Sequence, residues 1–205
     1  ASWTIEAPDF DGELVALAPQ SAAGNYTVLS RAVVPEPGPL RAAGASYETD
    51  IKSLYLQLPD TLEPRLAELA ARWTAGSATP YDAAVAIERR LRELPYSLDL
   101  PTPPADRELV SWFLFDLRTG YCDYYASAMV VLARLRGIPA RLAIGYATGD
   151  FDDPAGQYVV TELNAHSWPE LYFPELGWIP FEPTSGELLP ERTQSAYLPP
   201  DWTER

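Results

Sequence analysis

The chain contains one cysteine and one histidine, Cys122 and His166, 44 residues apart (166 minus 122). A cysteine acts as a nucleophile through its thiolate, so its surroundings decide whether it does chemistry. Cys122 follows the turn residue Gly120 and opens a run, 123–136, that is apolar on nearly every side between Ala126 and Leu135. That pattern predicts a central buried helix with Cys122 in its first turn, stopped by Gly137 and Ile138-Pro139. Unsatisfied N–H groups and the helix dipole favour negative charge there. They lower the pKa of a thiol and can hold an oxyanion on an attacked carbonyl. Free cysteine is also among the most buried residue types, so position alone leaves an inert core thiol as an even alternative.

His166 lies in Leu163-Asn164-Ala165-His166-Ser167-Trp168, at the start of a predicted strand. A lone histidine is more often structural than catalytic, and it becomes a base only by meeting Cys122 in space. A third group should orient its ring. Glu182, in Trp178-Ile179-Pro180-Phe181-Glu182-Pro183-Thr184, lies one strand later, where antiparallel pairing can set it beside His166. Its other reading is a solvated carboxylate at a strand end. Glu170 shares a strand face with His166 but sits about 13 Å away along a regular strand, too far for a direct partner. Asn164 offers an amide, but its place next to His166 gives poor geometry.

The elements that must position these residues are helices first and strands afterwards. Residues 25–34 and 53–58 read as strands, the latter with Leu54, Leu56 and Leu58 on one face. Helices are expected over 61–73, capped by Thr61, over a segment opened by Pro80 that carries Ala84, Ile87 and Leu91, and from about Asp106 through Leu114. After the Cys122 helix come strands over 140–147, 157–163, 167–173 and 178–181. Helices followed by an antiparallel sheet make an α+β arrangement. We divide the chain into an N-terminal β-rich extension (1–58), a core (59–188) and a tail (189–205).

Composition narrows the function classes. Of 205 residues, 47% are hydrophobic and 21% charged, which fits a globular chain with a real core. The net charge of -14 repels phosphate backbones and anionic lipid headgroups, so nucleic-acid binding ranks low. A single cysteine forms no internal disulfide and no cysteine-based zinc site. No apolar run approaches 18 residues, so no membrane span is expected within this chain. Ala1-Ser2-Trp3-Thr4 has neither the charged start nor the apolar run of a secretory leader. The Asp150, Asp152 and Asp153 carboxylates share a loop without EF-hand spacing, so a solvated turn is favoured over a cation site. No cofactor is called for.

Gly120-Tyr121-Cys122-Asp123-Tyr124-Tyr125-Ala126-Ser127 through Arg134-Leu135-Arg136-Gly137-Ile138-Pro139-Ala140-Arg141 resembles the nucleophile helix of the transglutaminase-like superfamily. Ala165-His166-Ser167-Trp168, Glu170-Leu171-Tyr172 and Gly177 to Thr184 resemble its histidine and acid segments, in the same order. Leu56-Gln57-Leu58-Pro59, Pro95-Tyr96-Ser97-Leu98 and Phe113-Leu114-Phe115 are similar to the bacterial TgpA-type branch. The resemblance implies a papain-like α+β fold with the cysteine on a helix and the histidine and acid on sheet strands. It also implies an extracytoplasmic address within a larger membrane protein. The family's usual acid is aspartate, and this chain has Glu182, one methylene longer.

The expected chemistry is acyl transfer from a protein or peptide glutamine through a Cys122 thioester, with His166 as base, Glu182 as orienting acid and an amine as possible acceptor. A cysteine protease or amidase would use the same three residues. A catalytically silent peptide-binding domain is the alternative of another class. Arg134 and Arg141 read as structural, and Trp168, Trp178 and Tyr124 as core or cleft wall.

Overall fold

The computed structural model describes residues 3–6, 16–19, 35–190 and 192. Two compact units divide between Ala32 and Val33. In the smaller, β1 (Trp3–Glu6) pairs antiparallel with β2 (Ala16–Pro19). The strand expected over 25–34 lies outside the described residues.

The larger unit begins with helices α1 (Pro37–Ala42), α2 (Thr49–Tyr55), α3 (Pro64–Trp73) and α4 (Pro80–Leu91). The strand expected over 53–58 is therefore wrong, since 53–55 close a helix. Six residues are too few to separate the two periods, and the longer window settles it. Ile51, Leu54 and Tyr55 are its half-buried positions, at helical spacing. In α3, Pro64 rather than Thr61 marks the start; its missing N–H costs nothing in a first turn. Thr79 caps α4: its Oγ1 accepts from the Asp82 N–H at 3.1 Å and donates to the Asp82 carboxylate at 2.7 Å. Ala84, Ile87 and Leu91 are fully buried, as their spacing predicts.

The third expected helix starts later, as α5 (Leu109–Trp112), where Glu108 accepts from the Val110 and Ser111 N–H groups at 2.8 Å each. It continues as a π-helical turn (Phe113–Leu117) and ends on Arg118 with φ 56°. The helix that Cys122 opens is α6 (Cys122–Leu135). Tyr125, Ala128, Met129 and Leu132 along it have no exposed surface. Gly120, just ahead of it, is required by close approach, since a Cβ there would lie 2.9 Å from Tyr124 Cβ. Gly137 ends it at φ 73°.

Three antiparallel strands follow, in the order β3 (Ala140–Tyr146), β6 (Ala165–Phe173), β7 (Gly177–Pro180). A hairpin of β4 (Asp150–Asp152) and β5 (Gln157–Val159) lies between β3 and β6 in sequence. The strand expected over 157–163 stops at Val159. Thr161 and Asn164 cap each other and turn Glu162–Asn164 into a 3-10 helix. The helix-facing side of β6, with Ser167, Pro169, Leu171 and Phe173 buried, packs on α6. Helices against an antiparallel sheet give the expected α+β class. Among the described residues no helix is long and apolar enough to cross a membrane.

Leu132 sits at the centre of the helix–sheet core with 0% exposure. Leu132→Ala is expected to destabilise the fold by roughly 2–5 kcal/mol, read as a lower midpoint in urea unfolding. A change below 1 kcal/mol or so would place the core elsewhere.

Candidate active site

Cys122 is the first residue of α6, with Tyr121 in the extended conformation ahead of it. The thiol is thus set among the unpaired amides at a helix start. Gly120 fixes this entry through a bridge to Tyr96, with Ser97 N–H donating to Gly120 O at 2.8 Å. Thr119 Oγ1 donates to Pro95 O at 2.9 Å, and Tyr125 Oη reaches Leu94 O and Pro95 O at 2.8 Å. The loop before the cysteine is therefore held from two sides.

His166 lies on β6 opposite Gly145 of β3. Its side chain is 11% exposed and that of Glu182 is 9% exposed. His166 Nε2 meets Glu182 Oε2 at 2.6 Å, and Cys122 is the largest of the influences that raise the ring's pKa. With Nε2 taken by the acid, Nδ1 is the nitrogen left for the sulfur. His166 thus lies at hydrogen-bond distance from Glu182 and within electrostatic influence of the Cys122 thiol. Trp168 stacks beside the imidazole, with centroids 6.1 Å apart and planes 21° from parallel. Its ring lies over Gly145, where a Cβ would come within 3.1 Å of it.

Glu182 is not on a strand; it lies two residues beyond the end of β7. Its place is set by contacts distant in sequence. The Glu182 N–H donates to Glu88 Oε1 at 2.8 Å, and Arg92 donates to the carbonyls of Glu182 and Thr184 at 2.8 Å each. Its second carboxylate oxygen, Oε1, accepts the Thr184 N–H at 2.9 Å. One oxygen is pinned by the backbone and the other is offered to the histidine.

The electrostatics follow from these contacts. Burial pushes the Cys122 thiol up, but hydrogen bonds from His166 and from Ser167 outweigh it, and the pKa falls below the ordinary thiol value. Hydrogen bonds to Cys122 and Glu182 raise His166 to about 10, against the opposing effect of burial. Both shifts favour a thiolate–imidazolium pair at neutral pH. Glu88 is raised by burial, in spite of the Glu182 N–H, Arg192 and Arg92 near it.

A group whose pKa rises on folding stabilises the fold fully below its unfolded pKa, here about 6.5. That contribution is lost as pH climbs through about 10. The lowered Cys122 pKa works in the opposite sense up to the unfolded thiol value, about 8.5, so denaturant midpoints of the native chain are expected to fall chiefly between there and about 10, and His166→Ala should flatten that slope. An equal slope in both proteins would remove His166 as its source.

The remaining candidates are occupied elsewhere. Glu170 pairs with Arg141 at 2.7 Å, and Asn164 Oδ1 accepts from Thr161. Arg134 holds the carbonyls of Ala140 and Gln57. Asp152 serves the hairpin turn by accepting the Ala155 N–H at 3.3 Å. Among the described residues no group of three His, Cys, Asp or Glu side chains could hold a metal ion. A cavity of about 430 Å³ lined by Arg65, Arg72, Arg90 and Arg118, among others, includes none of Cys122, His166 or Glu182.

Residues that sequence reasoning missed are Glu88, Arg92, Ser167 and Asp123. Glu88 and Arg92 flank the Arg89-Arg90 pair at the end of α4, with no local mark of a task 90 residues away. Ser167 and Asp123 were discoverable as the immediate neighbours of the two candidate residues, His166 and Cys122.

Residues 67–183 match the family model described as the transglutaminase-like superfamily. A protein-glutamine gamma-glutamyltransferase of Pseudomonas aeruginosa is 39% identical over 140 residues, covering 68% of this chain and 21% of that protein. An uncharacterised protein of Bacillus subtilis, YebA, is 39% identical over 183 residues, 84% of this chain and 25% of that protein. The chain therefore spans about a quarter or less of the curated relatives it matches. The crystal structure of the periplasmic domain of TgpA from Pseudomonas aeruginosa superposes with a TM-score of 0.60 at 35% identity, over 68% of this chain and 48% of that one. On sequence and on fold, this chain belongs to the transglutaminase-like superfamily and has its papain-like α+β architecture.

Proposed function

We propose that the protein is a thiol acyl transferase acting on glutamine carboxamides of proteins or peptides through a thioester on Cys122. The observation that carries this reading is the 2.6 Å contact between His166 and Glu182, beside a Cys122 thiol whose pKa His166 lowers. The Cys122 thiolate attacks the carboxamide carbon, and N–H groups at the start of α6, including that of Cys122, hold the oxyanion. The imidazolium gives its proton to the departing nitrogen, the C–N bond breaks, and ammonia leaves. A neutral primary amine then attacks the thioester, its proton passes to His166, and sulfur departs as the thiolate. The product is an isopeptide. Water in place of the amine yields deamidation.

Glu182 holds the ring and stabilises its charged form, in the role of the third member of a catalytic triad. We assign catalysis to residues 59–188. The similarity to a periplasmic domain supports an extracytoplasmic setting for the chain, with membrane helices in the parent protein.

The test is a screen of glutamine-containing peptides with and without an added primary amine, read by mass spectrometry. Ammonia release with amine incorporation is the expected result. Ammonia release without incorporation would make the protein a glutamine deamidase, and cleaved peptides would make it a protease. No product with any peptide would favour a silent binding domain and end the enzymatic reading.

A further inference from the structure

We propose that Ser167 and Asp123, the residues that follow His166 and Cys122 in sequence, form a second link between nucleophile helix and histidine strand, in which Asp123 holds the Ser167 hydroxyl proton and so limits the negative charge on the Cys122 sulfur. This rests on the reading of Cys122 as the attacking thiolate.

Ser167 is 1% exposed, on the helix-facing side of β6, opposite Ile144. Its Oγ donates to Asp123 Oδ1 at 2.7 Å. The same carboxylate oxygen lies 4.0 Å from Cys122 Sγ. Ser167 Oγ and Cys122 Sγ thus both face the same Asp123 oxygen, and Ser167 lowers the Cys122 pKa. Sulfur, hydroxyl and carboxylate therefore form one small cluster, closed by two adjacent residues of α6 and one of β6.

A hydroxyl has a single proton. While Asp123 takes it, that proton is not free for the sulfur, and the main-chain N–H of Ser167 is the donor left. The carboxylate adds like-charge repulsion across 4.0 Å. The other ionisable groups facing the sulfur are His166 from β6, which favours the thiolate, and Tyr96 from the segment before α5. Tyr96 is held up by burial and then by the negative charges of Cys122, Glu187 and Asp123. Glu182 acts on the sulfur through His166. Asp123 is thus the carboxylate in contact with the Cys122–Ser167 pair, and it opposes what His166 promotes.

The opposition has a use. A thiolate becomes less nucleophilic as its pKa falls, and the best attacking thiol has a pKa near ambient pH. A helix start, a histidine and two Ser167 donors together would over-stabilise the sulfur. By keeping the hydroxyl proton, Asp123 leaves the thiolate formed but reactive. Asp123 is a positioning residue that holds the Ser167 hydroxyl and faces the sulfur at 4.0 Å.

The experiment is the pH dependence of iodoacetamide alkylation of Cys122 in the full chain, with thermal unfolding as a control for folding. Asp123→Asn removes the charge and can donate to Ser167 Oγ, releasing the hydroxyl proton to the sulfur. It is expected to move the alkylation midpoint down by about half a pH unit or more. It should also slow alkylation of the fully ionised thiolate. In a Ser167→Ala background the same substitution should move the midpoint less, and Asp123→Glu, which keeps the charge, should stay near the native value. Asp123→Ala serves the same purpose should the Asn variant fold poorly. A midpoint that stays or rises, or an equal shift with and without Ser167, overturns the link. If native Cys122 reacts no faster than free cysteine at any pH, the nucleophile reading itself fails, which is a separate outcome.

Discussion

Replacing Cys122 with alanine is expected to reduce ammonia release from glutamine peptides by roughly 10^4- to 10^6-fold, to the uncatalysed background. The size follows from the route. The proposed reaction runs through a covalent bond to one sulfur atom, and the chain has one cysteine. The oxyanion amides would remain in the alanine variant, but they stabilise a charge that no longer forms. Folding should be untouched, because the side chain is only partly buried and sits at a helix start rather than in the core. Thermal unfolding of the variant should stay cooperative, with a midpoint lowered only by the lost Cys122 contribution to the raised His166 pKa, which separates lost chemistry from lost structure. Cys122→Ser refines the point. It keeps the shape, yet a hydroxyl is far weaker as an acid than a thiol, so His166 cannot hold it as an anion and activity should stay near background. Release of ammonia at more than a hundredth of the native rate from either variant would show that another nucleophile does the work.

Cys122 and its helix were legible because glycines mark both ends. Gly120 admits Tyr124 at close range and Gly137 takes a positive φ, so both boundaries came out within a residue. The long apolar run between them has one reading at its length. The strand expected over 167–173 is present as β6, which begins two residues earlier at Ala165. Short or overridden signals fared worse. Residues 53–58 fit a strand by alternation, but 53–55 finish a helix whose half-buried positions begin at Ile51. The helix after the proline-rich link widens into a π turn at Phe113–Leu117, and composition carries no mark of an i to i+5 pattern. Glu182 illustrates the limit for sites. Its pairing with His166 was expected from neighbouring strands, yet β7 ends at Pro180 and the carboxylate is placed by Glu88 and Arg92 of the α4 end. Such contacts join residues 90 apart, and only folding brings them together.

Those contacts bear on the second large effect. Glu182→Gln is expected to lower kcat/KM for ammonia release by roughly 10^3- to 10^4-fold, the scale seen when the orienting acid of such a triad loses its charge. The amide keeps the size of the side chain, and its oxygen can still accept the Thr184 N–H that Oε1 accepts now. What disappears is the charge facing His166 Nε2 at 2.6 Å. His166 should then titrate below about 10, and the Cys122 thiol should rise, because its partner is less often an imidazolium. The alkylation midpoint of Cys122 is therefore expected to move up in Glu182→Gln, opposite in sign to the shift expected for Asp123→Asn. Glu182→Asp separates charge from reach. Its carboxylate recedes by one methylene while the backbone stays clamped by Glu88 and Arg92. Aspartate here should keep part of the activity but less than glutamate, although aspartate is the usual acid of the family. Full activity in Glu182→Asp would mean that the clamped segment can slide towards His166. Full activity in Glu182→Gln would mean that the acid orients nothing that the reaction needs.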